Sequence, residues 1–382
     1  MKTNGHWFVS VGELSGDLLA ADLVRSLKRA FPDLRFSGIT GPSLVSEGVS
    51  SLAHMNELNV MGLTEVAKKI ASINMLKQNV LEHLDRQNIR VAILVDFSGF
   101  HLKLAEELKL RGIYVIQYVA PKLWAWGESR VSALKKYVDL LLAAFPFEEA
   151  YFQKFGVNCR YVGCPILKRT SIVSAKKEDF GVDSQSTLFA FLPGSRYQEI
   201  SRLWKPMLSI VDRVRERLPQ SVFMFPIATS LRKDPRIAHL LSSAHEGIRV
   251  VEEDSLRVMA AADAALVASG TATLECALLK TPLAVIYSMN PLTFYLANKK
   301  VKVKWASLVN ILRNKELVRE FLQHFDESEI ADELCSLVLN REKRARMLDE
   351  FEQLEQSLKT PEGFDIASFI ANSIELAPHG WT

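Results

Sequence analysis

Short apolar runs alternate along the chain with longer segments that have helical periodicity. The runs are rich in β-branched and aromatic residues, and their nearly continuous apolar character is typical of parallel strands that are buried on both faces. This alternation predicts parallel α/β layering. In the first half of the chain, strands are predicted at residues 8–11, 35–39, 91–95, 114–118, 140–144 and 159–162.

A polar, charged stretch at residues 168–186 interrupts this rhythm and predicts a linker. The strand pattern then resumes, and residues 316–376 are predicted to be mostly helical because Leu317, Val318, Phe321 and Leu322 have helical spacing. The predicted fold is α/β, with two Rossmann-like domains facing across a cleft and C-terminal helices packing back on the N-terminal domain. The second-half strands are predicted at residues 188–192, 222–226, 249–251, 264–267 and 283–287.

The predicted domain boundaries follow from this pattern. Residues 1–166 are expected to form the first Rossmann-like domain, 167–186 the linker, 187–345 the second domain, and 346–382 the helices that cross back. A chain of 382 residues with 48% hydrophobic content can form two cores, since single cores usually stop growing near about 250–300 residues.

Charge and cysteine content narrow the class of protein. Lys and Arg total 47 against 44 Asp and Glu, a net charge of +3, so no overall basic field indicates a nucleic-acid partner. No apolar run approaches the roughly twenty residues that span a bilayer. A soluble or peripheral protein in the cytoplasm is expected. Its four cysteines lack zinc spacing and are expected to be buried, reduced thiols: Cys159, Cys164, Cys276 and Cys335.

Two glycine-rich turns lie where a predicted strand gives way to a helix. Residues 12–17 (Gly-Glu-Leu-Ser-Gly-Asp) follow the first strand, and residues 269–272 (Ser-Gly-Thr-Ala) follow the strand at 264–267. Such turns expose backbone N–H groups at a helix N-terminus, which favours binding of a phosphate or a polar sugar group. Two of them predict an enzyme that holds a nucleotide on one domain and a second substrate on the other.

Five segments, taken in order, closely resemble the lipid-A-disaccharide synthase family. They are residues 12–17, 59–66 (NVMGLTEV), 121–126 (PKLWAW), 192–200 (LPGSRYQEI) and 269–275 (SGTATLE). The resemblance implies an inverting glycosyltransferase of GT-B fold that needs no metal or cofactor. It would join UDP-2,3-diacylglucosamine to 2,3-diacylglucosamine 1-phosphate, releasing UDP, during lipid A synthesis at the cytoplasmic face of a Gram-negative inner membrane.

Candidate nucleotide-binding residues lie in the second half. The glycine at 270 allows close approach of a ligand, and Glu275 is placed to accept both hydroxyls of a ribose, although a surface Glu after a helix cap is the alternative. Arg196 is the candidate that stabilises the departing UDP, and its alternative is a surface ion pair with Glu199. The full predicted UDP-binding set is Gly194, Ser195, Arg196, Ser269, Gly270, Thr271, Glu275 and Asn310.

An inverting transfer needs a general base, and Asp96 fits best. It follows the buried strand at 91–95, so it lies at the carboxyl edge of a parallel sheet, and it matches the aspartate of the family. A helix N-cap or turn former is its alternative role, and Asp17 and Glu13 are rival bases. Together with Arg196 it forms the predicted catalytic pair. Glu13, Ser15, Gly16 and Asp17 form the predicted acceptor or sugar loop.

The sequence departs from the family pattern at several positions. Ser98 replaces the usual proline and His101 the usual asparagine, while Gly127 stands where arginine is common and Cys164 where histidine is common. His101 could relay a proton with Asp96, or it could be structural.

Two stretches, residues 66–77 and 294–305, mix apolar side chains with lysines, as interfacial segments do. An ordinary core-facing helix or a solvated lysine face are the alternatives, and the sequence leaves open whether the chain is a homodimer. The predicted membrane contacts are Lys68, Lys69, Phe294, Tyr295, Lys299, Lys300 and Trp305.

Two other functions stay open at this point. One is a different GT-B enzyme that uses a UDP-sugar, either a UDP-N-acetylglucosamine epimerase or a transferase with a soluble acceptor. The other is a non-catalytic relative that binds a UDP-sugar or a lipid. The joint presence of Asp96, Arg196 and Glu275 favours an enzyme.

Overall fold

The computed structural model describes residues 5–58, 66–96, 98–243, 247–252, 255–291, 294 and 303–376, with only the backbone described at 66–70, 98 and 230. The chain divides into two compact units. The first is Met1–Gly163 together with Thr360–Thr382, and the second is Cys164–Lys359.

The described part of the first unit contains a seven-stranded sheet in which every pair is parallel. Its strands are β1 (His6–Val11), β2 (Arg35–Thr40), β3 (Ser50–His54), β4 (Val91–Val95), β5 (Tyr114–Tyr118), β6 (Leu140–Ala143) and β7 (Cys159–Tyr161). Its first helices are α1 (Leu14–Ala30), α2 (Pro42–Ser46), α3 (Val66–Arg86), α4 (Ser98–Leu110), α5 (Val131–Tyr137) and α6 (Pro146–Gln153).

The described part of the second unit contains a six-stranded sheet, again parallel throughout. Its strands are β8 (Thr187–Leu192), β9 (Ser221–Ile227), β10 (Ile248–Glu252), β11 (Ala264–Ala268), β12 (Leu283–Tyr287) and β13 (Glu320–Leu322). Its helices are α7 (Pro165–Thr170), α8 (Tyr197–Arg217), α9 (Thr229–Arg232), α10 (Pro235–Leu241), α11 (Ser255–Ala261), α12 (Thr271–Leu278), α13 (Leu308–Arg313), α14 (Glu327–Leu339) and α15 (Arg341–Ser357).

Helix α16 (Ile366–Glu375) returns to the first unit and packs against α1. Its Ile370 and Ile374 join the core that also contains Val24 and Leu27 of α1. The predicted packing of a C-terminal helix on the N-terminal domain is therefore confirmed. Of the segment 346–382 that was expected to cross back, however, the part up to Lys359 belongs to the second unit.

Both sheets reverse strand order once, as in doubly wound folds. The first has the order β3-β2-β1-β4-β5-β6-β7, and the second β10-β9-β8-β11-β12-β13. The reversal lies between the neighbouring strands β1 and β4 in the first sheet and between β8 and β11 in the second. These two Rossmann-like sheets confirm the predicted fold class.

The predicted strands all occur, with ends within two residues of those observed. The helical prediction for 316–322 was wrong, because β13 pairs there with β12 and places Phe321 opposite Ile286. The short strand β3 was also missed. The segment at 167–186 differs from a free linker, because α7 packs on α12 and Lys177 forms a 2.7 Å ion pair with Asp263.

The burial of the cysteines and the hydropathy of the helices can be compared with the sequence predictions. All four cysteines are buried and free, as predicted. Among the described residues, no helix combines the length and the apolar character that a membrane span requires.

Candidate active site

The predicted motifs follow the four strands that flank the two reversals of strand order. In the first sheet, residues 12–17 follow β1 and Asp96 follows β4; in the second, residues 194–196 follow β8 and residues 269–271 follow β11. Ligands of open α/β sheets bind outside the carboxyl ends of the strands at this reversal. Each sheet therefore brings two motifs that are distant in sequence to one crevice.

In the first unit, the glycine loop lies directly against Asp96. A Cβ atom at Gly16 would be 3.9 Å from Asp96 Cβ and 3.6 Å from the carbonyl oxygen of Val95. Glu13 precedes α1 and Ser15 lies in its first turn, and both are exposed. The loop can thus present its polar groups beside the half-buried Asp96.

Asp96 has a left-handed backbone, with φ of +52°. Aspartate and asparagine adopt this conformation more readily than most residues. The backbone N–H of Asp96 donates to the carbonyl of Tyr118 at 2.9 Å, and its carbonyl accepts from His101 Nδ1 at 2.7 Å and from Gln117 Nε2 at 3.3 Å. These bonds hold the conformation that sets the direction of the carboxylate.

His101 is fully buried and acts on the backbone of Asp96. Because a carbonyl can only accept, Nδ1 carries the proton, and Nε2 accepts from the hydroxyl of Ser10 at 2.9 Å. Burial lowers the pKa of His101 to about 4, so the ring is neutral near pH 7. These two bonds use both ring nitrogens and link β1 to the end of β4. Neither of them is to the Asp96 carboxylate, so they do not support the predicted proton relay.

Asp17 is fully buried, and its carboxylate is occupied by the backbone of α2. Oδ1 accepts from the N–H groups of Gly41 and Leu44 at 2.9 and 3.2 Å, and Oδ2 accepts from that of Ser43 at 2.7 Å. Three bonds to main-chain donors leave this carboxylate unsuited to abstract a substrate proton. The alternative of Asp17 as base is therefore abandoned, and its place in the acceptor loop is that of a support.

The segment 121–126 is held by a buried glutamate. Trp124 Nε1 donates to Glu148 at 3.0 Å, and burial raises the pKa of that carboxyl to about 7. Trp126 is exposed, with the guanidinium of Arg130 at 5.0 Å from its ring centre. Gly127 has φ of +88°, which explains glycine at this position.

In the second unit, Glu199 occupies the turn after β8. Its Oε2 accepts from the N–H groups of Ser195 and Arg196 at 2.9 and 3.2 Å. Gly194 has φ of +115°, and a Cβ atom there would lie 2.4 Å from Glu199 Oε2. The amides of Ser195 and Arg196 are therefore already bonded, which differs from a turn that offers them to phosphate.

The guanidinium of Arg196 remains open to an anion. Its side chain is 68% exposed, and its Nη1 lies 3.4 Å from Glu199 Oε1. The ion pair with Glu199, which was the alternative role of Arg196, is thus present. Exposed pairs of this kind contribute only about 0.3–0.5 kcal/mol to the free energy of unfolding. A phosphate could compete with it.

Ser269 and Gly270 form the turn before α12. Ser269 Oγ donates to the carbonyl of Ala306 at 2.8 Å, and Thr273 Oγ1 donates to that of Gly270 at the same distance. No side chain caps α12 within the part of the chain that the structure describes, and Thr271 is exposed. The N-terminus of α12 is thus the better anion site of the two turns.

Glu275 is buried in α12 and forms an ion pair with Arg169 of α7. Burial lowers the pKa of the Arg169 guanidinium from its ordinary value. Arg169 was not among the predicted site residues, because its segment had the composition of a linker. The surface-Glu alternative for Glu275 is excluded by its burial.

Asn310 is buried and has no polar group left for a ligand. Its Oδ1 accepts from the N–H groups of Leu317 and Val318 at 2.7 and 2.9 Å, and its Nδ2 donates to Val318 O and Glu320 at 2.8 Å each. The prediction that Asn310 lines the UDP site is corrected: it fixes the loop between α13 and β13.

Tyr287 lies near Glu199 and Arg196 of the turn after β8 and was not among the predicted residues. It ends β12, next to β11, and is half-buried. Burial and the charge of Glu199 raise its pKa, against the opposing charges of Arg196 and Arg202. Its position at a strand end was the available signal.

The predicted membrane contacts lie partly outside the described residues. The side chains of Lys68 and Lys69, and all of Tyr295, Lys299 and Lys300, lie outside the described residues. Phe294 and Trp305 are half-buried, and Lys304 Nζ lies 4.4 Å from the centre of the Trp305 ring.

A family model described as lipid-A-disaccharide synthetase matches residues 7–366. The lipid-A-disaccharide synthase of Pectobacterium carotovorum is 36% identical over 354 residues, covering 91% of this chain and 92% of that protein. That of Haemophilus influenzae is 35% identical over 348 residues, covering 90% and 89%.

Solved structures show the same fold at low identity. The UDP-GlcNAc 2-epimerase of Neisseria meningitidis, bound to UDP-GlcNAc, superposes with a TM-score of 0.59 at 12% identity, covering 96% of this chain and 99% of that one. The calicheamicin glycosyltransferase CalG4 gives 0.60 at 12% identity, covering 99% and 100%. These likenesses concern the fold alone.

Proposed function

The chain belongs to the lipid-A-disaccharide synthetase family, and on that premise we propose that it is a glycosyltransferase of lipid A biosynthesis. It joins UDP-2,3-diacylglucosamine to 2,3-diacylglucosamine 1-phosphate and releases UDP. The observation that carries the proposal is the placement of polar motifs at the strand-order reversal of both sheets. One unit then serves the acceptor and the other serves the nucleotide.

Asp96 is the proposed general base. An acceptor hydroxyl attacks the anomeric carbon of the donor, the bond from that carbon to the diphosphate oxygen breaks, and the hydroxyl proton passes to the carboxylate of Asp96. Attack on the face opposite the leaving group inverts the anomeric centre. The fixed backbone of Asp96 favours this role, because a base must be held within hydrogen-bond reach of its proton.

Arg196 and α12 are proposed to receive the leaving UDP. Negative charge grows on the diphosphate as the glycosidic oxygen departs, and an exposed guanidinium stabilises it. The N-terminus of α12, which no side chain of the described residues caps, adds N–H donors and the positive end of a helix dipole. Glu275 is proposed to accept ribose hydroxyls.

Both substrates carry acyl chains, so we propose peripheral association with the cytoplasmic surface of the inner membrane. The apolar and lysine-rich character of residues 66–77 and 294–305 supports this placement. Sedimentation with anionic vesicles tests it: binding that weakens as salt rises is expected, and absence of binding to the vesicles at low salt would contradict it.

The test of the activity is product analysis. The purified protein is incubated with both substrates and EDTA, and UDP and disaccharide 1-phosphate are measured by mass. Equal amounts of the two are expected. In a second assay, UDP-N-acetylglucosamine replaces the acylated donor. Its epimerisation, or the transfer of its sugar to an acceptor without acyl chains, would favour the alternative enzymes. Saturable UDP binding without any product would favour a non-catalytic relative.

A further inference from the structure

The pairing of Arg169 with Glu275 adds a residue to the nucleotide site. Glu275 lies in the second turn of α12, close to the N-terminus of that helix, and its side chain is only 8% exposed. Arg169 reaches it from the last turn of α7, a helix that packs on α12. Both residues belong to the second unit.

The two carboxylate oxygens of Glu275 are not equivalent. Arg169 Nη2 donates to Oε1, whereas no donor among the described residues meets Oε2. A buried carboxylate without compensation is costly, so the guanidinium neutralises the charge and also fixes the carboxylate plane. Within the part of the chain that the structure describes, Oε2 is therefore the oxygen that can accept from a ligand hydroxyl.

We propose that Arg169 is a positioning residue for ribose recognition: it holds Glu275 Oε1, so that Oε2 accepts a hydroxyl of the nucleotide sugar. This inference rests on the proposed function, because it takes the nucleotide of the donor to bind at α12. The Arg169 side chain is 45% exposed, so it is not simply a core residue. Its contact is with Glu275 and not with the reacting atoms.

The test compares UDP with 2′-deoxy-UDP by calorimetry. A hydrogen bond from a hydroxyl to a charged carboxylate corresponds to roughly a 10- to 100-fold preference, so the wild type is expected to bind UDP at least about 10-fold more tightly. In Arg169→Gln the preference is expected to fall to about 3-fold or less, because Glu275 is no longer oriented. Arg169→Lys, which keeps the charge, is expected to restore part of it.

Two results would overturn the inference. If Arg169→Gln weakens both nucleotides equally, Arg169 does not act through ribose recognition. If it tightens UDP binding, Arg169 competes with ribose for Glu275. Arg217→Gln is the matched control, because Arg217 is 40% exposed, pairs with Asp332 at 2.6 Å in the same unit, and lies at the far end of α8. It is expected to leave the preference unchanged.

Failure of the proposed function gives a different pattern. If the wild type shows no saturable UDP binding, both proposals are contradicted. If the preference for UDP disappears in Glu275→Gln but persists in Arg169→Gln, the nucleotide site stands and only the positioning role is wrong. Thermal unfolding of each variant shows whether a change in nucleotide affinity comes from a loss of folded protein.

Discussion

His101 Nδ1 donates a 2.7 Å hydrogen bond to the backbone carbonyl of Asp96, and the ring is fully buried. The resemblance to the family predicts asparagine at this position, and the side-chain amide of an asparagine can also donate to a carbonyl. The departure therefore preserves a donor to the backbone of the proposed base. It also introduces a titratable group into the core.

Acid should destabilise this protein through His101. Its pKa is about 4 in the folded state against 6.5 for an unperturbed histidine, so the unfolded chain binds the extra proton first. The free energy of unfolding is then expected to fall as pH drops from about 6.5 to 4, by about 3 kcal/mol in total. Urea unfolding of wild type and His101→Asn at pH 7 and 4.5 measures this. An equal loss in both proteins would contradict it.

Replacing Asp17 by Asn should cost stability. The carboxylate accepts from three backbone N–H groups, and an asparagine amide would turn one acceptor into a donor that faces another donor. A loss of about 3 kcal/mol in the free energy of unfolding is expected. Asp33→Asn, at an exposed turn, is the control and should change it by less than about 0.5 kcal/mol. A small effect for Asp17→Asn would refute the support role.

Arg196→Ala should reduce turnover much more than stability. Its ion pair with Glu199 is exposed and contributes less than about 0.5 kcal/mol, whereas loss of a group that stabilises the leaving diphosphate costs about 100-fold in kcat. Steady-state kinetics and urea unfolding are compared on the same preparation. A kcat within about twofold of wild type would remove Arg196 from the catalytic pair.

Asn310→Ala should have the opposite profile. Its amide bonds to the N–H groups of Leu317 and Val318, to the carbonyl of Val318 and to the half-buried carboxylate of Glu320, so its removal is expected to cost about 3 kcal/mol of stability. UDP affinity of the folded protein should stay within about twofold, because Asn310 offers nothing to the nucleotide. A calorimetric loss of UDP affinity without loss of stability would return it to the binding site.

Much of the fold could be predicted because the parallel strands are buried on both faces. Largely apolar runs such as 91–95 and 114–118 match β4 and β5 to the residue. β13 was missed because Leu317, Val318, Phe321 and Leu322 imitate helical spacing, and its strand state depends on pairing with β12. Pairing is a tertiary effect that local pattern does not contain.

The sequence predicts which site residues follow the ends of strands. Asp96 and the turn at 269–271 follow buried strands, and sequence places both at sheet edges. The partners of these residues could not be predicted, because contacts such as Arg169 with Glu275 span about a hundred positions along the chain. The full burial of Asn310 and Asp17 was invisible for the same reason.

The rate of disaccharide formation in Asp96→Asn under single-turnover conditions shows whether Asp96 removes the proton of the acceptor hydroxyl. Asparagine tolerates the left-handed backbone at φ of +52°, so the variant should fold and bind UDP as the wild type does. If Asp96 is the base, the rate is expected to be about 10²- to 10⁴-fold lower, with unchanged UDP affinity. A rate within about twofold of wild type would contradict it.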